Sequence, residues 1–139
     1  ISVQSDSEKE NMRVFGEKVG LAFQIKDDIF DYGRPDKIGK PTGIDIREQK
    51  MTLPLIYVLK NSPDKVRKEL KKIVRNHNEE TSKIKRATDL VIEHGGIDYA
   101  YSQMKKLAEE AKELLTGYPD NEAKTSLIGL VDYTMNREK

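Results

Sequence analysis

Three aspartates at the end of one long helical segment are the side chains of this sequence best suited to chemistry. Asp27, Asp28 and Asp31 precede Gly33, and the apolar spacing before them predicts a helix that ends there. The C-terminal end of a helix carries the negative pole of its dipole, so carboxylates are disfavoured there and cations are preferred. Asp27 and Asp31 are also a like-charge pair four residues apart, which costs about 0.2–0.5 kcal/mol. We therefore expect a bound cation at this helix end.

The neighbouring polar side chains indicate which cation that is. Gln24, Asp27, Asp28 and Asp31 have the spacing of a single stripe along a helix. Oxygen ligands without His or Cys suit Mg²⁺ better than Zn²⁺. Because Mg²⁺ usually keeps several waters and shares phosphate oxygens with a substrate, the pattern predicts a magnesium site that is completed by a phosphate compound.

The segment that follows is a loop with positive charge. Residues 33–48 are rich in glycine and proline, and Lys40 and Lys50 flank Asp45. Ammonium groups facing carboxylates predict a clamp in which a metal ion holds one side of a diphosphate and lysines hold the other. A P-loop is excluded because Pro41 follows Lys40, where Ser or Thr would be needed.

Helices must position these groups, since apolar residues recur three to four apart throughout and no useful stretch alternates with period two. After the first helix, helices are predicted from about Thr52, from Ser62-Pro63, before Gly95-Gly96, before Gly117 and from about Asp120. Ser5 and Glu8 form a capping box for the first helix. The expected fold is all-α, with about six helices in a single domain that covers residues 1–139.

Composition excludes several classes of protein and site. The 25 basic and 24 acidic residues nearly cancel, so no nucleic-acid partner is expected. The chain has no cysteine, which excludes disulfides and thiolate metal sites. No apolar run approaches the roughly 20 residues needed to span a bilayer, so at most peripheral membrane contact is expected, and the expected compartment is the cytoplasm.

Four segments together carry a resemblance to a known family. They are residues 20–31 (GLAFQIKDDIFD), Gly39-Lys40, residues 43–45 (GID) and residues 50–55 (KMTLPL). In this order they resemble the second aspartate-rich region of the trans-type polyprenyl diphosphate synthases. The likeness is greatest to bacterial long-chain, octaprenyl-like members. It implies an isoprenoid-synthase helical bundle, of which this chain is the C-terminal half.

The resemblance also implies an activity and a role for each site residue. The family performs Mg²⁺-dependent head-to-tail condensation of isopentenyl diphosphate with an allylic diphosphate. By position, the Mg²⁺ site falls on Asp27, Asp28 and Asp31. The residues that bind or lie near the allylic substrate are Phe23, Gln24, Lys40, Asp45 and Lys50. One departure is Gln49, which stands where many members have glycine.

A larger departure concerns what is missing from these residues. The family's first aspartate-rich motif and its upstream binding segment for isopentenyl diphosphate have no counterpart here, and the chain begins at Ile1. We therefore expect a prenyltransferase fragment that is inactive alone. An apolar face that includes Phe23 and Phe30 is expected to drive self-association or homodimer formation.

Three alternatives stay open at this point. The first is a non-catalytic partner subunit of a heteromeric prenyl diphosphate synthase. The second is a terpene cyclase or head-to-head condensing enzyme, and the third is a helical interaction domain with incidental surface aspartates. The ordered lysines of the loop favour the elongating synthases over the cyclases. The intact aspartate stripe argues against the inactive subunit, which has no need of a costly charge cluster.

Overall fold

The computed structural model describes residues 6–33 and 43–136 of the chain. In those two ranges it forms seven helices and no strand. They are α1 (Asp6–Asp31), α2 (Ile44–Arg47), α3 (Leu53–Asn61), α4 (Asp64–Asn76), α5 (Thr81–Glu93), α6 (Gly96–Glu113) and α7 (Glu122–Asn136). The all-α fold is confirmed. The additional helix, α2, is a single turn inside the segment predicted as a loop, and Ser5 of the expected capping box lies outside the described residues.

Two compact units divide the chain. Unit 1 combines Ile1–Lys26 with Gln103–Lys139, and unit 2 is Asp27–Ser102. Helices α1 and α6 each contribute to both units. The assignment of residues 1–139 to a single domain stays a prediction.

The core of unit 1 follows the predicted apolar periodicity, apart from one lysine. Its buried members come from α1, α6, α7 and the segment after α6: Phe15, Ala108, Ala111, Leu115 and Val131. Lys26 of α1 is only 8% exposed, although lysine is seldom fully buried. Its ammonium donates a hydrogen bond of 2.6 Å to the carbonyl of Thr134, in the last turn of α7. A cation is favourable at that end of a helix, which explains why the lysine is buried.

The core of unit 2 lies between α3, α4 and α5. Its buried side chains include those of Leu55, Val58, Leu70, Ile73, Ile84, Ala87 and Val91, with Ile46 from α2. Gly96 allows α6 to begin against this core, since a Cβ there would lie 2.7 Å from the Pro54 carbonyl oxygen and 2.8 Å from Val91 Cγ1. A close approach of this kind tolerates no side chain.

The start of α4 differs by one residue from the prediction. Ser62 was expected to cap this helix, with Pro63 as its first residue. Instead Ser62 is the C-cap of α3, Pro63 is the N-cap of α4, and the helix begins at Asp64.

None of the helices in the described residues has the combination of length and hydropathy that a membrane span requires.

Candidate metal and phosphate site

The end of α1 brings acidic groups beside one lysine in unit 2. The ammonium of Lys50 lies 3.6 Å from Oδ1 of Asp28 and 4.0 Å from Oδ1 of Asp45. The side chain of Lys50 is 58% exposed, whereas those of Asp28 and Asp45 are 15% and 16% exposed. An exposed ammonium therefore lies next to two largely buried carboxylates.

The carboxylate of Asp31 accepts hydrogen bonds from backbone N–H groups at the start of α2. Its Oδ1 accepts a hydrogen bond of 3.1 Å from the N–H of Ile44, and its Oδ2 accepts one of 3.0 Å from the N–H of Asp45. The N–H of Gly43 donates to the backbone carbonyl of Asp31 at 3.0 Å. Gly43 has φ +74°, and a Cβ there would lie 2.4 Å from Ile84 Cγ2, so glycine is required at this turn. Asp31 thus holds α2 against the end of α1.

Asp28 is placed in a similar way against α3. Its carboxylate accepts a hydrogen bond from the N–H of Leu53, at the start of that helix. The N-terminus of a helix is its positive pole and favours a carboxylate. The dipole of α1 led us to expect a bound cation beside these acids. The structure adds that N–H groups of α2 and α3 and the ammonium of Lys50 compensate part of their charge, and the bound cation stays a prediction.

Burial nevertheless makes the ionised form of these carboxylates less favourable. It raises the pKa of Asp28 above its ordinary value, even though the attraction of Lys50 opposes the change. Burial likewise raises the pKa of Asp31, against the lowering effect of the N–H of Asp45. The phenol of Tyr32 is buried beside them and shares a hydrogen bond of 3.3 Å with the Thr52 hydroxyl, and burial raises its pKa as well. The site therefore holds its negative charge at some cost to folding.

The donor set fits a metal ion that shares its ligands with a phosphate compound. In the described part of the chain, no three His, Cys, Asp or Glu side chains converge as a ready-made metal cage. Carboxylate oxygens at one helix end are still the ligands that Mg²⁺ prefers, and Mg²⁺ commonly takes one or two of them with water and phosphate oxygens. The residues thus fit a shared magnesium–phosphate site better than a closed structural one.

Comparison with known proteins decides the family. The family model described as Polyprenyl synthetase matches residues 1–91, which is most of the chain. This chain belongs to the polyprenyl synthetase family. The resemblance that rested on the aspartate and lysine segments is thereby confirmed at the level of the family.

Individual members of the polyprenyl synthetase family support the same conclusion. The probable mitochondrial hexaprenyl pyrophosphate synthase of Neurospora crassa is 37% identical over 127 residues, which are 91% of this chain and 27% of that protein. The structure of a geranylgeranyl pyrophosphate synthetase from Pyrococcus horikoshii matches with a TM-score of 0.84 and 33% identity, over 97% of this chain and 41% of that one. A polyprenyl synthase from Caulobacter crescentus, complexed with calcium and isoprenyl diphosphate, has a TM-score of 0.80 and 32% identity, over 96% and 41%. This chain therefore spans less than half the length of these relatives.

In this chain, the structure brings together some of the predicted site residues and not others. Asp28, Asp31, Asp45 and Lys50 contact one another or each other's backbone in unit 2, and Asp27 is half-buried at the same helix end. Phe23 and Gln24 belong to the part of α1 in unit 1, where Phe23 is exposed and Gln24 lies on the same stretch of helix. Lys40 lies outside the described residues.

The sequence alone did not indicate the structural role of Gln49. Its backbone has φ +60°, the left-handed region that non-glycine residues seldom occupy. Its amide Nε2 donates to the carbonyls of Val74 at 3.0 Å and Arg75 at 3.3 Å, in the last turn of α4. The available signal was a glutamine at a position where many members of the family have glycine.

Proposed function

We propose that this chain binds the allylic diphosphate, with Mg²⁺, in a prenyltransferase that condenses isopentenyl diphosphate head-to-tail onto it. The observation that carries the proposal is the arrangement of Lys50 over Asp28 and Asp45. An exposed ammonium beside covered carboxylates provides both charges that a magnesium–diphosphate complex requires.

Each group then has a distinct task. Bound Mg²⁺ supplies positive charge that stabilises the departing diphosphate. Asp27 and Asp28 hold the metal, and the ammonium of Lys50 donates hydrogen bonds to the diphosphate oxygens. Asp31 completes the acidic group, and its hydrogen bonds to the backbone keep Asp45 beside Lys50.

Two further groups of predicted residues complete the substrate site in this proposal. By the resemblance, Lys40 would contribute a second ammonium to the diphosphate, and Phe23 and Gln24 would lie near the allylic substrate. The calcium and isoprenyl diphosphate of the Caulobacter relative support a site of this kind, in which a divalent cation accompanies a diphosphate.

The proposal assigns this chain to the C-terminal half of the synthase. Its relatives are more than twice as long. The resemblance implies that the family's first aspartate-rich motif supplies further metal ligands. We therefore expect no chain elongation from this chain alone. An octaprenyl-length product and a cytoplasmic location stay predictions, since the relatives' names include hexaprenyl and geranylgeranyl products and a mitochondrial protein.

The proposal includes self-association. Leu21 and Phe23 of α1 are 51% and 38% exposed in unit 1, and exposed apolar side chains on one helix favour contact with another protein surface. A homodimer, or association with the rest of the synthase, would cover them. Light scattering at increasing concentration should show a mass above that of the monomer, and a constant monomer mass would contradict this part of the proposal.

Calorimetric titration with inorganic pyrophosphate, with and without Mg²⁺, tests the central claim. Binding is expected only when Mg²⁺ is present, and Lys50→Ala should weaken it by about 10–100-fold. Lys60→Ala is the matched control, because Lys60 is an exposed lysine of the same unit near the end of α3. Equal affinities with and without Mg²⁺, or equal losses in the two variants, would overturn the proposal.

A further inference from the structure

Gln49 combines two features that a simple surface turn does not need. It is the one residue other than glycine with positive φ in residues 6–33 and 43–136, and such a conformation is unfavourable for a side chain with a Cβ. Glycine would occupy the same conformation without that cost. A glutamine here must therefore contribute something that its side chain alone can provide.

The side chain of Gln49 connects this turn to another helix. The last carbonyls of an α-helix have no partner within the helix. In α4, two of these groups, on Val74 and Arg75, accept hydrogen bonds from the single amide nitrogen of Gln49. The turn after α2 is thereby attached to the end of α4, which is itself part of the unit 2 core through Leu70 and Ile73.

The attachment lies next to the lysine of the candidate site. The N–H of Gln49 donates to the carbonyl of Ile46 at 3.0 Å, and the N–H of Lys50 donates to the carbonyl of Asp45 at 2.8 Å. The backbone of Lys50 is thus held by its own hydrogen bond to Asp45, and the preceding residue, Gln49, is held both by the turn and by its side-chain contact with α4. From this position its ammonium reaches Asp28 and Asp45.

We propose that Gln49 is a positioning residue, whose amide fixes the backbone of Lys50 so that the ammonium is already in place for a diphosphate. The part that concerns the ligand rests on the proposed function. Because the ammonium sits on a flexible four-carbon side chain, fixing its backbone lowers the entropy that binding must remove. A turn with glycine at this position would be free of strain but would lose its attachment to α4.

Two substitutions separate the amide from the backbone strain. Gln49→Gly removes both the amide and the unfavourable φ. Gln49→Met keeps the length of the side chain and the unfavourable φ but has no donor for the carbonyls of α4. A loss that both variants share is therefore due to the amide contact.

The first experiment needs no ligand. ¹⁵N relaxation of the full chain measures the order of the Lys50 backbone N–H in the wild type, Q49G and Q49M. The N–H of Lys50 should become more mobile in both variants, while that of Leu55 in α3 stays as ordered as in the wild type. Unchanged order at Lys50 in both variants would overturn the proposal, whether or not the chain binds diphosphate.

The second experiment asks whether Gln49 acts through Lys50. In the wild-type background, Q49M should weaken binding of Mg²⁺ and pyrophosphate by about tenfold, as when the support of a ligand-binding group is removed. In the Lys50→Ala background the same substitution should change affinity less than about twofold, because the group it positions is gone. Equal losses in the two backgrounds would identify a merely structural role and overturn the inference. If the wild type binds no pyrophosphate, the proposed function fails and the relaxation measurement alone decides the role of Gln49.

Discussion

Helices α1 and α4 both end in unit 2, and their C-terminal ends, which are the negative poles of the helix dipoles, carry side chains of opposite charge. Helix α4 has Asp64 in its first turn and Arg75 in its last turn, and His77 is its C-cap. The amide of Gln49 adds two hydrogen bonds to its final carbonyls. These side chains and hydrogen bonds at its two ends all stabilise helix α4.

The end of α1 has the reverse arrangement. No basic residue lies in its last turn, and Asp27, Asp28 and Asp31 are the charged groups there. Burial raises the pKa values of Asp28 and Asp31, so their charged forms are less favourable in the fold than in water. The N–H groups of α2 and α3 reduce this cost without removing it.

The difference shows which helix end is arranged for stability and which for binding. A carboxylate that is ionised in spite of burial provides a charge that a metal ion can use. Side-chain substitutions at the end of α4, which leave the backbone carbonyls bound by Gln49 in place, should therefore alter folding alone. Substitutions at the end of α1 should alter ligand binding, and in one case folding should improve.

The largest expected effect belongs to Asp28→Asn. Because the substitution removes a metal-binding charge next to Lys50, the Mg²⁺-dependent affinity for pyrophosphate should fall by about 100-fold. Asp120→Asn is the control, since the Asp120 side chain is 97% exposed and belongs to unit 1. Calorimetric titration measures both, and an unchanged affinity in D28N would remove Asp28 from the site.

The same variant should be more stable than the wild type at pH 7. A carboxyl group whose pKa is raised on folding favours the folded state most when it is protonated. Its contribution therefore falls as the pH rises from the unfolded pKa through the folded pKa. The neutral amide of D28N avoids that loss, so the gain in urea unfolding should be present at pH 7 and disappear at low pH, where Asp28 is neutral. A D28N variant that is less stable than the wild type at pH 7 would contradict this sign.

Asp31→Ala should lower stability, in contrast to Asp28→Asn. It leaves the N–H groups of Ile44 and Asp45 without their carboxylate acceptor, which costs about 1–2 kcal/mol of folding free energy. The net loss is smaller, because the variant no longer buries the ionised carboxylate of Asp31. Asp31→Asn keeps one acceptor oxygen and should lose less. The free energy of unfolding in urea measures all three proteins, and equal stability of D31A and the wild type would show that Asp31 does not hold α2.

These two aspartates also show how far the sequence alone can lead. Helices and core positions were predictable because apolar spacing is a local property, as for Phe15 of unit 1. The order of charges in the loop suggested that its lysines face the aspartates, and the resemblance assigned Asp45 and Lys50 to the site. Apolar spacing could not predict their contact, since it depends on how the chain turns back. The role of Asp31 depends on N–H groups more than ten residues away, and the burial of Lys26 depends on Thr134, 108 residues further on. Patterns within one helix contain no information about such partners.

Charge reversal at the two ends of α4 tests whether acids are favourable at the N-terminal end of this helix and unfavourable at its C-terminal end. Helix α1 has the opposite arrangement, with acids at its C-terminal end. Arg75→Asp places an acid in the last turn of α4 and should cost about 0.5–1 kcal/mol. Lys65→Asp places the same acid in the first turn, where the dipole favours it, although the attraction between Lys65 and Glu69 is lost. Thermal or urea unfolding should therefore rank R75D as the less stable variant. The reverse order would show that the helix dipole does not govern this helix.

The smallest effect is the pH response of Glu69 on α4, which should have the opposite sign to that of Asp28. The guanidinium of Arg86 on α5 donates to the Glu69 carboxylate at 2.9 Å and lowers its pKa. A lowered pKa stabilises the folded state above the unfolded pKa, and this stability is lost as the pH falls through the folded value. Because both side chains are well exposed, Glu69→Gln should cost at most about 0.5 kcal/mol at pH 7. The difference from the wild type should vanish once the pH has fallen below the folded pKa, and Arg86→Gln should reduce it at pH 7, leaving only the weaker attraction of Lys83 and Lys65. A Glu69→Gln variant that is more stable than the wild type at pH 7 would have the sign expected of Asp28→Asn, and the contrast between α4 and α1 would not hold.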